Sequence, residues 1–342
     1  MSGTWEFIKR HKGKIIAGGV LIGGATAYML QMKQQSHTSL VPNHYSPDSL
    51  QVKVKRRYIF DTNQRACDQS ISDLVKDLKT RVQLRFDVES LITKLKEDVT
   101  LSVEEKVELW NHVKVLSIAR IVGIAYTYSL LTATLKAQIS ILAADIISYF
   151  DLDASYPSSP LELSESDNSS AVAGSRKIFV QCTQYFLTTG TLKLLQLVEE
   201  TCKDVSSTLL LTDQVNSDRM REVFEAADQI ISKKVPTFFS ALVAPLTESE
   251  KCSSDPVMQL LTRLVKSLES EKCRETLSTL IDFYLTAAVH KLPSEPAALA
   301  KLLPSFLDIF DFVASDAYDS PLQNSLCSSD IYHYANFVFK TL

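Results

Sequence analysis

The sequence predicts an all-α protein: an elongated antiparallel bundle of long helices preceded by a single N-terminal transmembrane helix. Three observations predict it. Apolar residues recur at threes and fours from about residue 58 onward, with almost no strand-like alternation. Only 9 Gly and 11 Pro occur in 342 residues, and four of the glycines sit inside one opening apolar run, so the remainder is poor in turn-makers. That run, Ile15 to Met32, holds 18 residues without an ionisable side chain.

Residues 1–14 form a basic N-terminal segment, and residues 15–32 follow as the anchor. At about 1.5 Å per residue the uncharged run spans roughly 27 Å as a helix, close to the ~30 Å of bilayer hydrocarbon. Ile15 opens it. Gly19, Gly23 and Ala27 lie at successive i, i+4 positions, a small-residue face that lets membrane helices approach. Tyr28 near its end, with Trp5 and Phe7 before it, has the character of an interfacial anchor. The rival is a cleavable signal ending at Ala25-Thr-Ala27, which would make the chain a secreted helical protein with sugar on Asn168. Met29, Leu30 and Met32 prolong the run past that cut and favour retention.

Residues 33–57 mix Pro, Ser, His and charge without period, and read as a tether. From 58 to 342 extends the helical body. Two long helices are expected at about 62–97 and 103–150, the second opened by the capping-box spacing Ser102-Val-Glu-Glu105. Fifteen uncharged residues separate Arg120 from Lys136; that is short for a second span and is read as a buried central helix. A Ser-, Asp- and Pro-rich loop covers about 153–175. Helical patterns resume at 176–212, 214–234, 256–290 and 295–342, with Pro236, Pro245, Pro256, Pro293 and Pro321 as separators.

Charge narrows the function. The first 32 residues carry four Lys/Arg against one acid, and residues 33–57 carry five against one. The net charge of −4 therefore conceals an acidic body, which repels phosphate backbones and argues against nucleic acid as a partner. Six cysteines stand tens of residues apart without metal spacing and read as reduced thiols. Neither a nucleophile with its base, a phosphate loop nor a metal motif emerges, so no enzyme activity and no cofactor or metal is expected. Asp61, Arg65 and Asp68 at turn spacing read as ion pairs supporting a helix start.

The one outstanding constellation is a two-striped helix. Val103, Val107, Trp110 and Ile121 fall along one line, with Lys106 and Lys114 beside it, while Leu109, Val113 and Leu116 point about 100° away. One stripe can enter the core and the other can meet a partner; the alternative is that Trp110 is itself wide core with lysines around it.

"WEFIKRHKGK" before an apolar helix, "RRYIFDTNQRACD", and then "KVELWNHVKVLSIARIVGIAYTYSLLTATLKAQISILAADII" resemble the peroxisomal biogenesis factor 3 (peroxin 3) family over residues 1 to about 150. The shared elements are Lys9-Arg-His-Lys12, Asn63-Gln-Arg65 with Cys67, and Trp110 with Lys114, Arg120, Tyr126 and Gln138. The resemblance implies a single-pass peroxisomal membrane protein with its N-terminus in the matrix and its helical body in the cytosol. It implies docking of the soluble import receptor peroxisomal biogenesis factor 19, whose N-terminal amphipathic helix lies in a groove at the end of the bundle away from the membrane. Carried over, the groove residues are Trp110, Lys106, Val107, Val113 and Lys114, with Ile92 and Leu95 on the preceding helix. The connection between Leu95 and Lys106 is longer here than the family's, and Ala143-Ala144 replace a frequent glycine pair. Counting charges alone would place the N-terminus in the cytosol.

Overall fold

The computed structural model describes residues 48–154, 176, 178–246 and 254–341. The anchor residues Ile15, Gly19, Gly23, Ala27 and Tyr28, the tether up to residue 47, and the loop at 155–175 lie outside the described residues.

Helix α1 (Asp48–Arg85) turns sharply into α2 (Val88–Glu97), and α3 (Val103–Ala154) follows. α4 consists of three abutting segments, Cys182–Tyr185, a π-helical Phe186–Gly190, and Thr191–Ser206. β1 (Gln214–Val215) leads to α5 (Ser217–Val243), α6 (Pro256–Leu268) and α7 (Glu271–Val289). β2 (Ala297–Ala298) pairs antiparallel with β1, and four short helices finish the chain: α8 (Leu299–Leu302), α9 (Ser305–Val313), α10 (Pro321–Leu326) and α11 (Ser329–Lys340). The described residues form an all-α bundle, as expected.

α3 is the axis. Its 52 residues span about 78 Å, and α1, α2, α4, α5, α6, α7, α9 and α11 all pack on it. From Ser117 to Ala144 every residue is buried, so the uncharged run is a core helix and lies inside protein. Cross-links show the antiparallel pairing with α1: Gln64 Nε2 donates to Ser140 Oγ (3.1 Å), Tyr128 O–H to Val75 O (3.1 Å), and Arg120 Nε to Phe86 O (2.6 Å). Residue numbers rise along α1 as they fall along α3.

Both charges that bound the uncharged run are themselves buried and paired. Lys136 Nζ stands 2.6 Å from Asp68 Oδ1, and Arg120 binds Glu89. The expectation for Asp61, Arg65 and Asp68 is corrected here. They lie well inside α1, where Asp61 accepts the Tyr332 hydroxyl of α11 (3.0 Å) and Asp68 meets Lys136, so these carboxylates join helices instead of starting one.

Several boundaries differ from the periodicity for local reasons. The expected 62–97 helix begins by residue 48 and breaks at Phe86–Asp87, where the Asp87 carboxylate accepts Ser90 N–H (3.0 Å) and caps α2. The capping box at α3 forms as read: Ser102 N–H reaches Glu105 Oε2 (2.8 Å) and Glu105 N–H reaches Ser102 Oγ (3.2 Å). α5 runs through position 236 to Val243, because Phe239, Leu242 and Val243 are buried and their packing outweighs the ~3 kcal/mol cost of an interior proline. The 256–290 pattern divides where Ser270 Oγ accepts Cys273 N–H and caps α7. Pro256 and Pro321 are the first residues of their helices.

Of the cysteines, Cys67, Cys182, Cys202, Cys273 and Cys327 are free thiols, and all but Cys327 are buried; Cys252 lies outside the described residues. Burial pushes the Cys67, Cys182 and Cys273 thiols up to about 12, which leaves them unreactive.

Gly190 is required by a close approach. A Cβ there would meet the Leu242 carbonyl oxygen at 2.1 Å, and a backbone atom has no rotamer by which to yield. Gly190→Ala is expected to lower unfolding free energy by at least about 2 kcal/mol in urea titration. Lys136→Met is expected to cost about 2 kcal/mol at neutral pH, since it strands a half-buried carboxylate. Burial already raises the Asp68 pKa, against the opposing pull of Lys136. Without that cation it rises further, so the loss should be greatest above the folded-state pKa and shrink as acid protonates the group.

Candidate partner-docking site

The site is the end of the bundle where α1 stops, α2 folds back and α3 begins. Arg120, 1% exposed, organises it. Its guanidinium donates to Gln83 O (3.4 Å) in the last turn of α1, to Phe86 O (2.6 Å) just past its end, and to Glu89 Oε1 (2.8 Å) in the first turn of α2; a further contact to Glu89 Oε2 makes the pair bidentate. Its face lies 5.2 Å from the Phe310 ring centroid. The hydrogen bond from Arg120 holds the Glu89 carboxyl below its ordinary pKa. One side chain thus satisfies the end of one helix and fixes the start of the next.

With α2 held there, its half-buried Leu91, Ile92 and Leu95 pack against the core edge. On α3, Leu109 is half-buried and Val113 and Leu116 are buried, so that stripe enters the core. The other stripe stays at the surface only in its first turns, where Val103 is 73% exposed, Val107 50% exposed and Trp110 half-buried with one side on the core; Ile121, expected on the same line, is fully buried. Val99, in the connection from α2, is exposed as well.

The seven expected groove residues therefore divide. Val103's neighbours Val107 and Trp110, with half-buried Lys106, Ile92 and Leu95, present surface at this end. Val113 and Lys114 do not. Val113 is wholly buried, and Lys114 is 4% exposed, its Nζ donating to Leu209 O at 2.5 Å. Desolvation lowers the Lys114 pKa, with Asp213 acting against it. These two residues support the site from beneath. Sequence reasoning missed the Arg120 and Lys114 attachments, although a lone cation beside a long uncharged stretch signals that a partner must be found for it.

The charges near the mouth are unequally committed. Asp98 accepts from Thr100 (N–H 3.0 Å, O–H 2.5 Å) and Glu105 from Ser102, and both carboxyls are thereby held below their ordinary range. The ammonium groups of Lys94 and Lys106 also lie close enough to help hold the Asp98 carboxyl down.

Elsewhere, a cleft of about 230 Å³ between α5 and α7 is lined by Tyr126, Leu130, Asp228, Phe239, Leu277 and Ile281, with the Tyr126 hydroxyl donating to Asp228 Oδ1 at 2.5 Å. Among the described residues no group of three or more His, Cys, Asp or Glu stands together as metal ligands would.

A family profile described as Peroxin-3 matches residues 97–146, the stretch from the end of α2 through most of α3, Trp110 included. The chain is 28% identical over 143 residues to "Peroxisomal biogenesis factor 3" of Bos taurus, covering 42% of this chain and 36% of that protein. Two Arabidopsis thaliana proteins extend the likeness: "Peroxisome biogenesis protein 3-1", 25% identical over 248 residues (68% of this chain, 65% of the other), and "Peroxisome biogenesis protein 3-2", 20% over 340 residues (91% and 90%). Over this stretch the chain is similar to the peroxin-3 family. The match spans about a third of the length of the bovine relative, and the family profile falls on the end of α2 and most of α3.

The matched segment contains the residues that shape this end of the bundle: the capping box, Trp110 and Arg120. Arg120→Met is expected to lower stability by about 2 to 3 kcal/mol, because carbonyls of Gln83 and Phe86 lose their donor. Hydrogen exchange should localise the loosening to residues 83–97, the corner that the guanidinium holds.

Proposed function

We propose that this chain serves peroxisome biogenesis as a membrane-anchored docking receptor, and that its docking site is the apolar surface of Val103, Val107 and Trp110 with Ile92 and Leu95 alongside. The observation that carries the reading is the half-buried indole flanked by exposed valines on the helix that the family profile matches. The partner is the N-terminal amphipathic helix of peroxisomal biogenesis factor 19, the soluble receptor for peroxisomal membrane proteins. Its apolar side would cover the stripe, and its acids would face Lys106 and Lys94.

The geometry supports such a role physically. Trp110 has one side fixed by the core, so little rotamer entropy remains to be lost on binding. The site stands at the C-terminal end of α1, about 57 Å along that 38-residue helix from its start, where the tether to residues 15–32 enters. An anchor at 15–32 would hold the chain in the peroxisomal membrane with the groove well clear of it. The body faces the cytosol and the N-terminus the matrix in this reading, and free thiols at Cys67, Cys182, Cys202, Cys273 and Cys327 fit a reducing compartment.

Trp110→Ala should weaken binding of the receptor's N-terminal peptide at least about tenfold, roughly 1.4 kcal/mol, with an unchanged far-UV helical spectrum; equal affinity would refute the site. Alkaline carbonate extraction should leave the chain in the membrane pellet at the mass of all 342 residues. A soluble chain, or one shortened by removal of residues up to Ala27, would refute the anchor.

A further inference from the structure

The cleft between α5 and α7 shares no residue with the docking surface. Its inner wall is apolar: Tyr126, Leu130, Phe239, Leu268, Leu277 and Ile281 line it, each less than a tenth exposed. Exposed Ser232 and Ser278 stand at its rim, so the space opens to solvent. An apolar cavity of about 150 Å³ holds benzene. The cleft measures about 230 Å³, which gives room for a bicyclic aromatic ring.

One end of this apolar space carries an unanswered negative charge. Asp228 is half-buried, and its Oδ1 accepts the Tyr126 hydroxyl at 2.5 Å. That bond fixes the carboxylate and leaves Oδ2 without a donor among the described residues. Burial raises the Asp228 pKa; the Tyr126 hydrogen bond opposes the rise, and the like charge of Asp282 adds to it. The arginines nearby are placed otherwise. Arg274 holds Glu271 at 2.5 Å, and Arg221 opens onto the adjoining cleft, where it is outnumbered by Glu225, Asp228 and Asp282. A carboxylate destabilised by burial and by a neighbouring acid gains most from an incoming cation, and one already held in place loses little freedom on binding it.

We propose that the α5–α7 cleft is a binding site for a small aromatic amine, whose ring fills the apolar space and whose ammonium pairs with Asp228. Tyr126 is the positioning residue for that carboxylate. Burial of the ring supplies attraction of no particular sign, and the acid supplies the selection. A neutral ring of the same size gains the burial without the ion pair, while an anion meets Asp228, Asp282 and Glu225 and is turned away. The site is independent of the docking reading, since Trp110 and its neighbours take no part in it.

The experiment follows the Ile281 methyl resonance of the full-length protein in a lipid nanodisc during titration with tryptamine. Tryptophol serves as the neutral counterpart and indole-3-acetate as the anion. Ile281 reports from the cleft wall, so partition of the probes into lipid does not register. Tryptamine should shift the resonance saturably and bind at least about tenfold more tightly than tryptophol, with indole-3-acetate weakest. Asp228→Asn, which keeps an oxygen for the Tyr126 hydroxyl, should lower tryptamine to the affinity of tryptophol and leave tryptophol unchanged. Ser278→Trp, at an exposed rim position, should fill the cleft and abolish both titrations, while Trp110→Ala should alter neither. Equal affinity of the parent for tryptamine and tryptophol, or a preference that survives Asp228→Asn, would overturn the role of the carboxylate. Absence of any saturable shift, or one that persists in Ser278→Trp, would overturn the site itself.

Discussion

The guanidinium of Arg120 is the constraint on which the α1–α2 end of the molecule depends. It emerges from a helix with no other charge for fifteen residues toward its C-terminus, and is buried to 1% exposure. An unpaired cation there would be prohibitively costly, so the surrounding chain has to supply acceptors. It does so with carbonyls at and just past the end of α1 and the first acid of α2. The reversal at Phe86–Asp87 is the consequence, because Glu89 reaches Arg120 only if the chain turns there. That turn packs Ile92 and Leu95 against the same core on which Trp110 rests, and so a buried charge shapes an apolar surface.

Lys136 repeats the logic toward the other end of α3. It meets Asp68 of α1, with Gln64 and Ser140 bonded nearby. Between the two cations, α3 offers mostly aliphatic side chains whose packing has little directional preference. Hydrogen bonds supply it: Tyr128 to Val75 O and Ala314 O, Tyr126 to Asp228, Gln138 to Phe179 O, and the Thr183 hydroxyl to Gln138 Oε1. Apolar burial drives assembly, and these bonds fix the rotation and level of each helix against the axis.

This division explains what could be read without coordinates. The helical class, the burial of the uncharged stretch, the capping box at Ser102 and the two stripes of α3 are local properties of spacing, and all were legible. The stripe that enters the core, Leu109, Val113 and Leu116, could be separated from the stripe of Val103 and Val107, but which faced outward could not, since both are apolar. Nor could Lys114, whose position next to Trp110 reads as a rim charge; its partner Leu209 is 95 residues away and is a backbone oxygen, which carries no signature in side-chain pattern. The breaks at Asp87 and Ser270 were hidden because each cap interrupts a stripe that resumes in register. Proline proved ambiguous: at 256 and 321 it opens helices, and at 236 a helix passes through it. The residues that carried the family likeness are largely joints between helices. Gln64, Arg120, Tyr126 and Gln138 all bond to another helix or its capping turn, so resemblance there reports a shared architecture first.

The antiparallel seam between α1 and α3 has a mechanical meaning. A pull delivered at the first turn of α1, along its axis, meets Gln64, Asp68, Val75 and Phe86 contacts arranged along the direction of force. They are loaded together in shear, and no one of them can be peeled away ahead of the others. α11 adds a clamp at the loaded end, where Tyr332 and Phe339 crowd Phe60 with ring centroids 5.5 and 5.0 Å away. Tension arriving from the N-terminal side is therefore spread over the length of the axis and dissipated before it reaches the tryptophan end.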